Sequence, residues 1–198
     1  MYGVKCKLKS GPRTARRKLY EEAEVDPNAL FTSENVSPYG LLEELFVRNP
    51  WRLLISAILL NRTHREQVDF VMFTLLEEYP DAASMESANP SIISRIIRPL
   101  GIRYRRADTL IRFSKEFIRL TTPILNYGCS AEAEGDIRHN LLRSPFELTR
   151  TDIMGLYGCG AYAADVYEIF ILEKYEDNPV ADHALHYYID YKRGITEK

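Results

Sequence analysis

The sequence predicts an all-α protein, with length enough for one substantial core or for two small helical lobes sharing a cleft. Apolar residues recur at three- and four-residue spacing from Ser37 onward, and no stretch alternates as a half-buried strand would. The chain has 198 residues, 45% of them apolar, which is enough to bury a core of that size. No run of about eighteen apolar residues exists, so no membrane span is expected, and the basic N-terminus lacks the apolar stretch of a secretory signal. A soluble intracellular protein is the expectation.

Residues 1–36 carry no sustained apolar period and read as a flexible arm, basic and then acidic; the folded part is expected over 37–198. Helices are predicted over 40–47, 51–60 and 65–78, the second marked by Leu53, Leu54, Ala57 and Ile58, the third by Phe70, Val71 and Leu75. Further helices are predicted over 90–97, 103–120, 146–154, 161–173 and 183–191. The stretch 126–140 is rich in Gly, Ala, Ser and acids and reads as a surface insertion. Cys6, Cys129 and Cys159 lie far apart, without zinc-like spacing and too few for an iron–sulfur cluster, so free thiols are expected.

A net charge of −2 conceals strong segregation. Residues 1–20 hold seven Lys and Arg and no acid, whereas 21–47 hold seven acids and no base. A second basic island, Arg95, Arg98, Arg103, Arg105 and Arg106, surrounds the turn Pro99-Leu100-Gly101. Guanidinium forks bond phosphate bidentately, so five arginines without lysine suit phosphate contact; a merely solvated helix face is the alternative. The arm 13–18 has the composition of a nuclear import signal, and a nuclear protein is expected.

The most informative motif is Leu156-Tyr157-Gly158-Cys159-Gly160, placed between two predicted helices, with Asp182 opening a third twenty residues after Tyr162. Two glycines one residue apart form a tight turn; between helices they form a helix-hairpin-helix whose N–H groups can grip a DNA phosphate without reading sequence. A lone carboxylate set back from that hairpin suits attack on a neighbouring sugar, although Asp182 before His183 is also a good helix N-cap.

Trp51 to Thr63, Pro99 to Arg106, Leu156 to Tyr162 and Pro179 to Leu185 stand in the order and spacing of the helix-hairpin-helix (HhH-GPD) DNA glycosylases, which the chain resembles over 37–192. Leu60-Asn61-Arg62-Thr63 after Pro50-Trp51, and Asp182-His183, look most like the glycosylase domain of the methyl-CpG-binding-domain thymine glycosylases and their plant relatives. The resemblance implies a two-lobed fold with the active site between the lobes. It implies a monomeric enzyme that needs no metal or cofactor, acts on duplex DNA with a mismatched or damaged base, and hands its product to abasic-site repair enzymes. The activity implied is removal of mismatched thymine or uracil, opposite guanine, by base flipping and hydrolysis of the N-glycosidic bond.

Roles follow residue by residue from the resemblance. Asp182 matches the carboxylate that stabilises the cationic sugar and directs water. Tyr162 stands where backbone-cutting members carry a Schiff-base lysine, which implies a monofunctional enzyme, and its ring would line the base pocket. Arg62 matches the residue that fills the hole left by the flipped nucleotide, and Ile102, after Gly101, the apolar wedge; core packing is the alternative for Ile102. Arg105, Arg106, Gly158, Gly160 and His183 would complete the DNA-contacting set. Glu43 replaces a glutamine that bonds the flipped base, and since an ionised carboxylate only accepts, altered base preference or reduced activity is expected. Ala161 and Ala184 replace positions that are often basic, which would weaken phosphate contact. A catalytically silent DNA-binding module, or a glycosylase of another base specificity, are the competing readings.

Overall fold

The computed structural model describes residues 37–121, 144–176 and 180–195, within which every regular element is helical. The N-terminal arm and the insertion at 126–140 lie outside the described residues. The chain opens with a 3-10 helix, Leu42–Phe46, followed by α1 (Pro50–Leu60), α2 (Arg65–Glu78), α3 (Ala82–Glu86) and α4 (Pro90–Ile96). A second 3-10 turn, Arg98–Leu100, leads to α5 (Arg103–Thr121); α6 (Arg150–Gly155), α7 (Ala161–Phe170) and α8 (His183–Lys192) complete it. No helix among the described residues is long and apolar enough to cross a membrane.

Helix α1 organises the molecule. Its start is fixed by Pro50 in the first turn and by the Asn49 side chain, which accepts the Arg52 N–H at 3.1 Å. Apart from Arg52 and Ser56 its sequence is apolar, and Leu53, Leu54, Ile55 and Leu59 are fully buried, as suits a helix that packs on several partners. On one side it meets α2 and α5, and α5 in turn packs on α3 and α4. On the other it meets α7 and the first 3-10 helix, with α6 against α7. Each fully buried Leu or Ile contributes about 1.5–3 kcal/mol relative to exposure, so α1 holds the two groups together by its own burial. Trp51 ties α1 to α5 through its indole N–H, which donates to Ser114 Oγ at 3.0 Å.

The predicted elements differ from the observed ones at places with local causes. The 40–47 segment winds as a 3-10 helix only over Leu42–Phe46, where buried Glu44 takes the N–H groups of Ser37 and Leu41, each at 2.6 Å. Burial pushes the Glu44 carboxyl above its usual range. The helix expected over 146–154 begins only at Arg150, since Thr149 caps it through the Asp152 N–H. The residues ahead of it instead serve buried Tyr167, whose hydroxyl accepts from Leu148 N–H and donates to the Pro145 carbonyl. Helix α7 stops at Phe170, before Glu173, which has φ of 52°. Helix α3, a single turn capped by Asp81, was too short for periodicity to reveal.

Candidate active site

The junction of α1 and α2 is a tight corner, Asn61-Arg62-Thr63. Arg62 sits at φ 55°, a left-handed conformation that costs a non-glycine residue about 1–2 kcal/mol, and its side chain is exposed. The corner is braced from α5. Arg106 donates through Nη1 to the Leu59 carbonyl at 2.7 Å and through Nη2 to the Asn61 carbonyl at 3.3 Å and to Thr63 Oγ1. Arg106, expected among the phosphate-contacting residues, therefore has its guanidinium turned inward. Arg105, Arg95 and Arg98 remain exposed, while Arg103 donates to the Tyr104 hydroxyl at 3.1 Å and lies over its ring.

The turn before α5 carries a second strained residue, Ile102, after a left-handed glycine. Gly101 has φ of 71° and Ile102 φ of 44°, although β-branched residues resist that region. Ile102 is 71% exposed, so the core-packing alternative is excluded and an aliphatic side chain stands in solvent on a strained backbone. Such strain persists only where surrounding structure enforces it. Arg106 supplies part of that enforcement: its N–H bonds the Ile102 carbonyl at 3.0 Å while its side chain grips the Arg62 corner.

The glycine hairpin is built on α5. Glu116 accepts the Tyr157 N–H at 2.6 Å, Arg112 stacks over the Tyr157 ring at 3.5 Å, and Cys159 N–H closes the turn on the Leu156 carbonyl at 3.1 Å. Gly158 needs to be glycine twice over, with φ of 85° and the Thr109 methyl 2.3 Å from where a Cβ would stand. Gly160 has ordinary extended geometry and open space around it, and it starts α7 without a side-chain cap. The N–H groups of Gly158 and Gly160 have no acceptor among the described residues. Burial, helped by the charge of Glu116, pushes the Cys159 thiol up to about 12.

Between the corner and the start of α8 lies a cleft of about 370 Å³ lined by Leu60, Asn61, Arg62, Thr63, Arg65, Tyr162, Asp182 and Ala184. Asp182 caps α8, its Oδ1 accepting from Ala184 N–H at 2.9 Å and Leu185 N–H at 3.1 Å; Oδ2 has no partner among the described residues. The cap reading is thus correct and leaves one oxygen of an exposed carboxylate for chemistry. His183 follows it on the exposed first turn of α8, outside the cleft lining.

Glu43, expected in the base pocket, does not stand in the cleft. It is fully buried, 0% exposed: Tyr162 Oη donates to one of its oxygens at 2.8 Å and Arg65 Nη2 to the other at 2.6 Å. Tyr162 and Arg65 form the wall, and Glu43 stands behind it. Burial above all, then the charge of Glu43, drives the Tyr162 phenol far above its usual range, so it is a neutral donor. Arg65 escaped the sequence analysis, yet a signal was present: a basic residue in the first turn of a helix opposes the macrodipole and needs another reason to be there. Among the described residues no group of three or more His, Cys, Asp or Glu could hold a metal ion.

No family model matches the chain. It is 29% identical over 157 residues to the methyl-CpG-binding domain protein 4-like protein of Arabidopsis thaliana, covering 79% of this chain and 29% of that protein. It is 39% identical over 67 residues to the thymine-DNA glycosylase of Aeropyrum pernix, covering 34% of this chain and 30% of the relative. With the thymine/uracil-DNA glycosylase of Pyrobaculum aerophilum it shares 37% over 71 residues, 36% of this chain and 31% of the relative. The chain thus spans less than a third of the length of these curated relatives. The solved structure of a thermostable thymine-DNA glycosylase superposes with a TM-score of 0.50 at 21% identity, over 82% of this chain and 62% of that one, and the two share an all-helical fold.

Proposed function

We propose that the protein is a monofunctional DNA glycosylase that flips a mismatched thymine or uracil, opposite guanine, out of duplex DNA and hydrolyses its N-glycosidic bond. The observation that carries this reading is Asp182: a carboxylate fixed by two backbone N–H groups, with its second oxygen unpartnered, on a cleft also walled by Tyr162 and Arg65. In this reading Asp182 stabilises the cation that develops on the sugar and orients the attacking water. Ile102 and Arg62, exposed on strained backbone, enter the duplex to wedge and refill the stack, offsetting an unstacking cost of a few kcal/mol. The hairpin N–H groups of Gly158 and Gly160 hold a phosphate beside the extruded nucleotide. The similarity to proteins named thymine-DNA and thymine/uracil-DNA glycosylase supports the same substrate class. Among the described residues no lysine lines the cleft, which favours hydrolysis without a Schiff base.

The protein acts as a monomer in the nucleus, in this reading, and its product passes to abasic-site repair enzymes. The test is single-turnover base release from duplexes holding G·T, G·U or no mismatch. Asp182→Asn retains a good helix cap, so it is expected to fold as the wild type does while base release falls on the order of 10²-fold or more. Strand breaks should appear only after alkali. Wild-type protein that binds duplex but releases no base would mark a silent binding module instead, and breaks without alkali would mark a lyase.

A further inference from the structure

We propose that Arg65 is a catalytic residue of the base side of the cleft: its guanidinium donates to a carbonyl oxygen of the flipped pyrimidine and stabilises the negative charge that the base carries away, while buried Glu43 positions it. This inference rests on the glycosylase reading above. Its starting point is a local anomaly, since Arg65 occupies the first turn of α2, where the positive end of the helix dipole disfavours a cation. The anomaly is offset by Glu43, whose oxygen accepts Arg65 Nη2 at 2.6 Å. The ion pair is lopsided: the Arg65 side chain is 28% exposed and that of Glu43 1%. Arg65 alone of the two lines the cleft, and its Nε and Nη1 have no partner among the described residues. Tyr162 Oη covers the second oxygen of Glu43, so the carboxylate has no face left for a base and serves as a fixed counter-ion.

The charges are then arranged along the bond that ionises. As the bond from C1′ to the base nitrogen breaks, both electrons leave with the base; the sugar becomes cationic and the base anionic, with charge spread onto its carbonyl oxygens. Asp182 meets the first and Arg65 the second, each held before reaction by its own hydrogen-bond partners. Water then adds to C1′, and the proton it sheds passes by way of the Asp182 carboxylate to the base anion. The products are an abasic 1′-hydroxyl and a neutral free base.

Leaving-group dependence separates this role from simple structural support. Single-turnover release would be measured for thymine, uracil and 5-fluorouracil opposite guanine, the last leaving as the most stable anion. The variant is Glu43→Gln/Arg65→Met, which removes the guanidinium without stranding a buried carboxylate, beside Glu43→Gln alone and Arg65→Lys, with thermal melting recorded for each. Expected is a loss on the order of 10²-fold for thymine, the scale for one oxyanion donor, and a clearly smaller loss for 5-fluorouracil. Glu43→Gln alone keeps the cation but weakens its anchor, so it should lose less on thymine than the double variant does, and Arg65→Lys should recover part of the thymine rate. An equal loss on all three bases would overturn the proposal and leave Arg65 a structural residue. Wild-type protein inert on all three would instead overturn the glycosylase reading, and this inference with it.

Discussion

Gly158→Ala tests how the hairpin is held. The substitution meets two separate penalties: alanine at φ 85° and a methyl 2.3 Å from the Thr109 Cγ2. The left-handed backbone costs about 1–2 kcal/mol, and forcing a methyl into packed side chains costs about 1–3 kcal/mol. Together they give about 3 kcal/mol, which for a chain of this size lowers Tm by roughly 10 °C. Far-UV circular dichroism melts of wild type, Gly158→Ala, Thr109→Ser and the double variant separate the parts. Serine removes Cγ2 but keeps the Oγ1 that donates to the Arg105 carbonyl at 2.9 Å, so the double variant should regain the packing part and retain the backbone part. Gly160→Ala is the control: its backbone is extended and its surroundings open, so it should cost no more than about 1 kcal/mol, alanine being a poorer N-cap than glycine. Duplex affinity should nevertheless fall, because the methyl occupies the space in which a phosphate would sit. If Gly158→Ala melts with the wild type, or Thr109→Ser restores nothing, the account of the hairpin is wrong.

Ile102→Gly relieves a strained φ and buries nothing less, so its melting temperature should match or slightly exceed the wild type while base release slows; a lower melting temperature would show that Ile102 packs. Arg105→Ala and Arg106→Ala should part company: the first lowers the salt slope of duplex binding by about one without loss of stability, whereas the second leaves the slope and costs about 1–3 kcal/mol through orphaned acceptors at the Arg62 corner. With Cys6 and Cys129 changed to Ser, the remaining thiol should resist alkylation at neutral pH until the protein unfolds, because burial holds Cys159 up to about 12. Since its folded value is raised, the stability it contributes is complete below the ordinary thiol range and is lost as pH climbs from there toward 12; an alkaline melting profile unchanged by Cys159→Ala would contradict this.

The parts of the fold that were legible in sequence are those whose signal is local. Helix α2 runs over Arg65–Glu78, as the spacing of Val71 and Leu75 indicates although Phe70 is exposed, and α1 declares itself by a run of apolar residues with a capped start. The expected 146–154 helix fails because its first residues answer to Tyr167, nineteen residues away from Leu148, and no periodicity encodes that bond. The candidate site divides in the same way. Arg62, Ile102, Gly158, Tyr162 and Asp182 belong to short motifs and could be singled out. Arg106 reaches Thr63 across 43 residues, Glu116 reaches Tyr157 across 41, and Thr109 sits under Gly158. Those supports are tertiary facts, made only when α5 packs on α1 and the hairpin.

Glu43 shows why a replacement cannot be judged one residue at a time. As a single replacement, a carboxylate for an amide, it removes a donor and adds a charge, which argues for a damaged pocket. In the folded chain the charge is matched by Arg65, the remaining oxygen by Tyr162, and the carboxylate has withdrawn from the cleft altogether. Removing Arg65 alone is far costlier than removing both, because buried Glu43 would keep a desolvated charge. Glu43→Gln on its own leaves the guanidinium in place and so says little about base preference, whereas changing residues 43 and 65 together removes the donor proposed to face the base. Arg65 is the group of the pair that lines the cleft, so if it meets the base as proposed, substrate choice should follow the guanidinium rather than the carboxylate behind it.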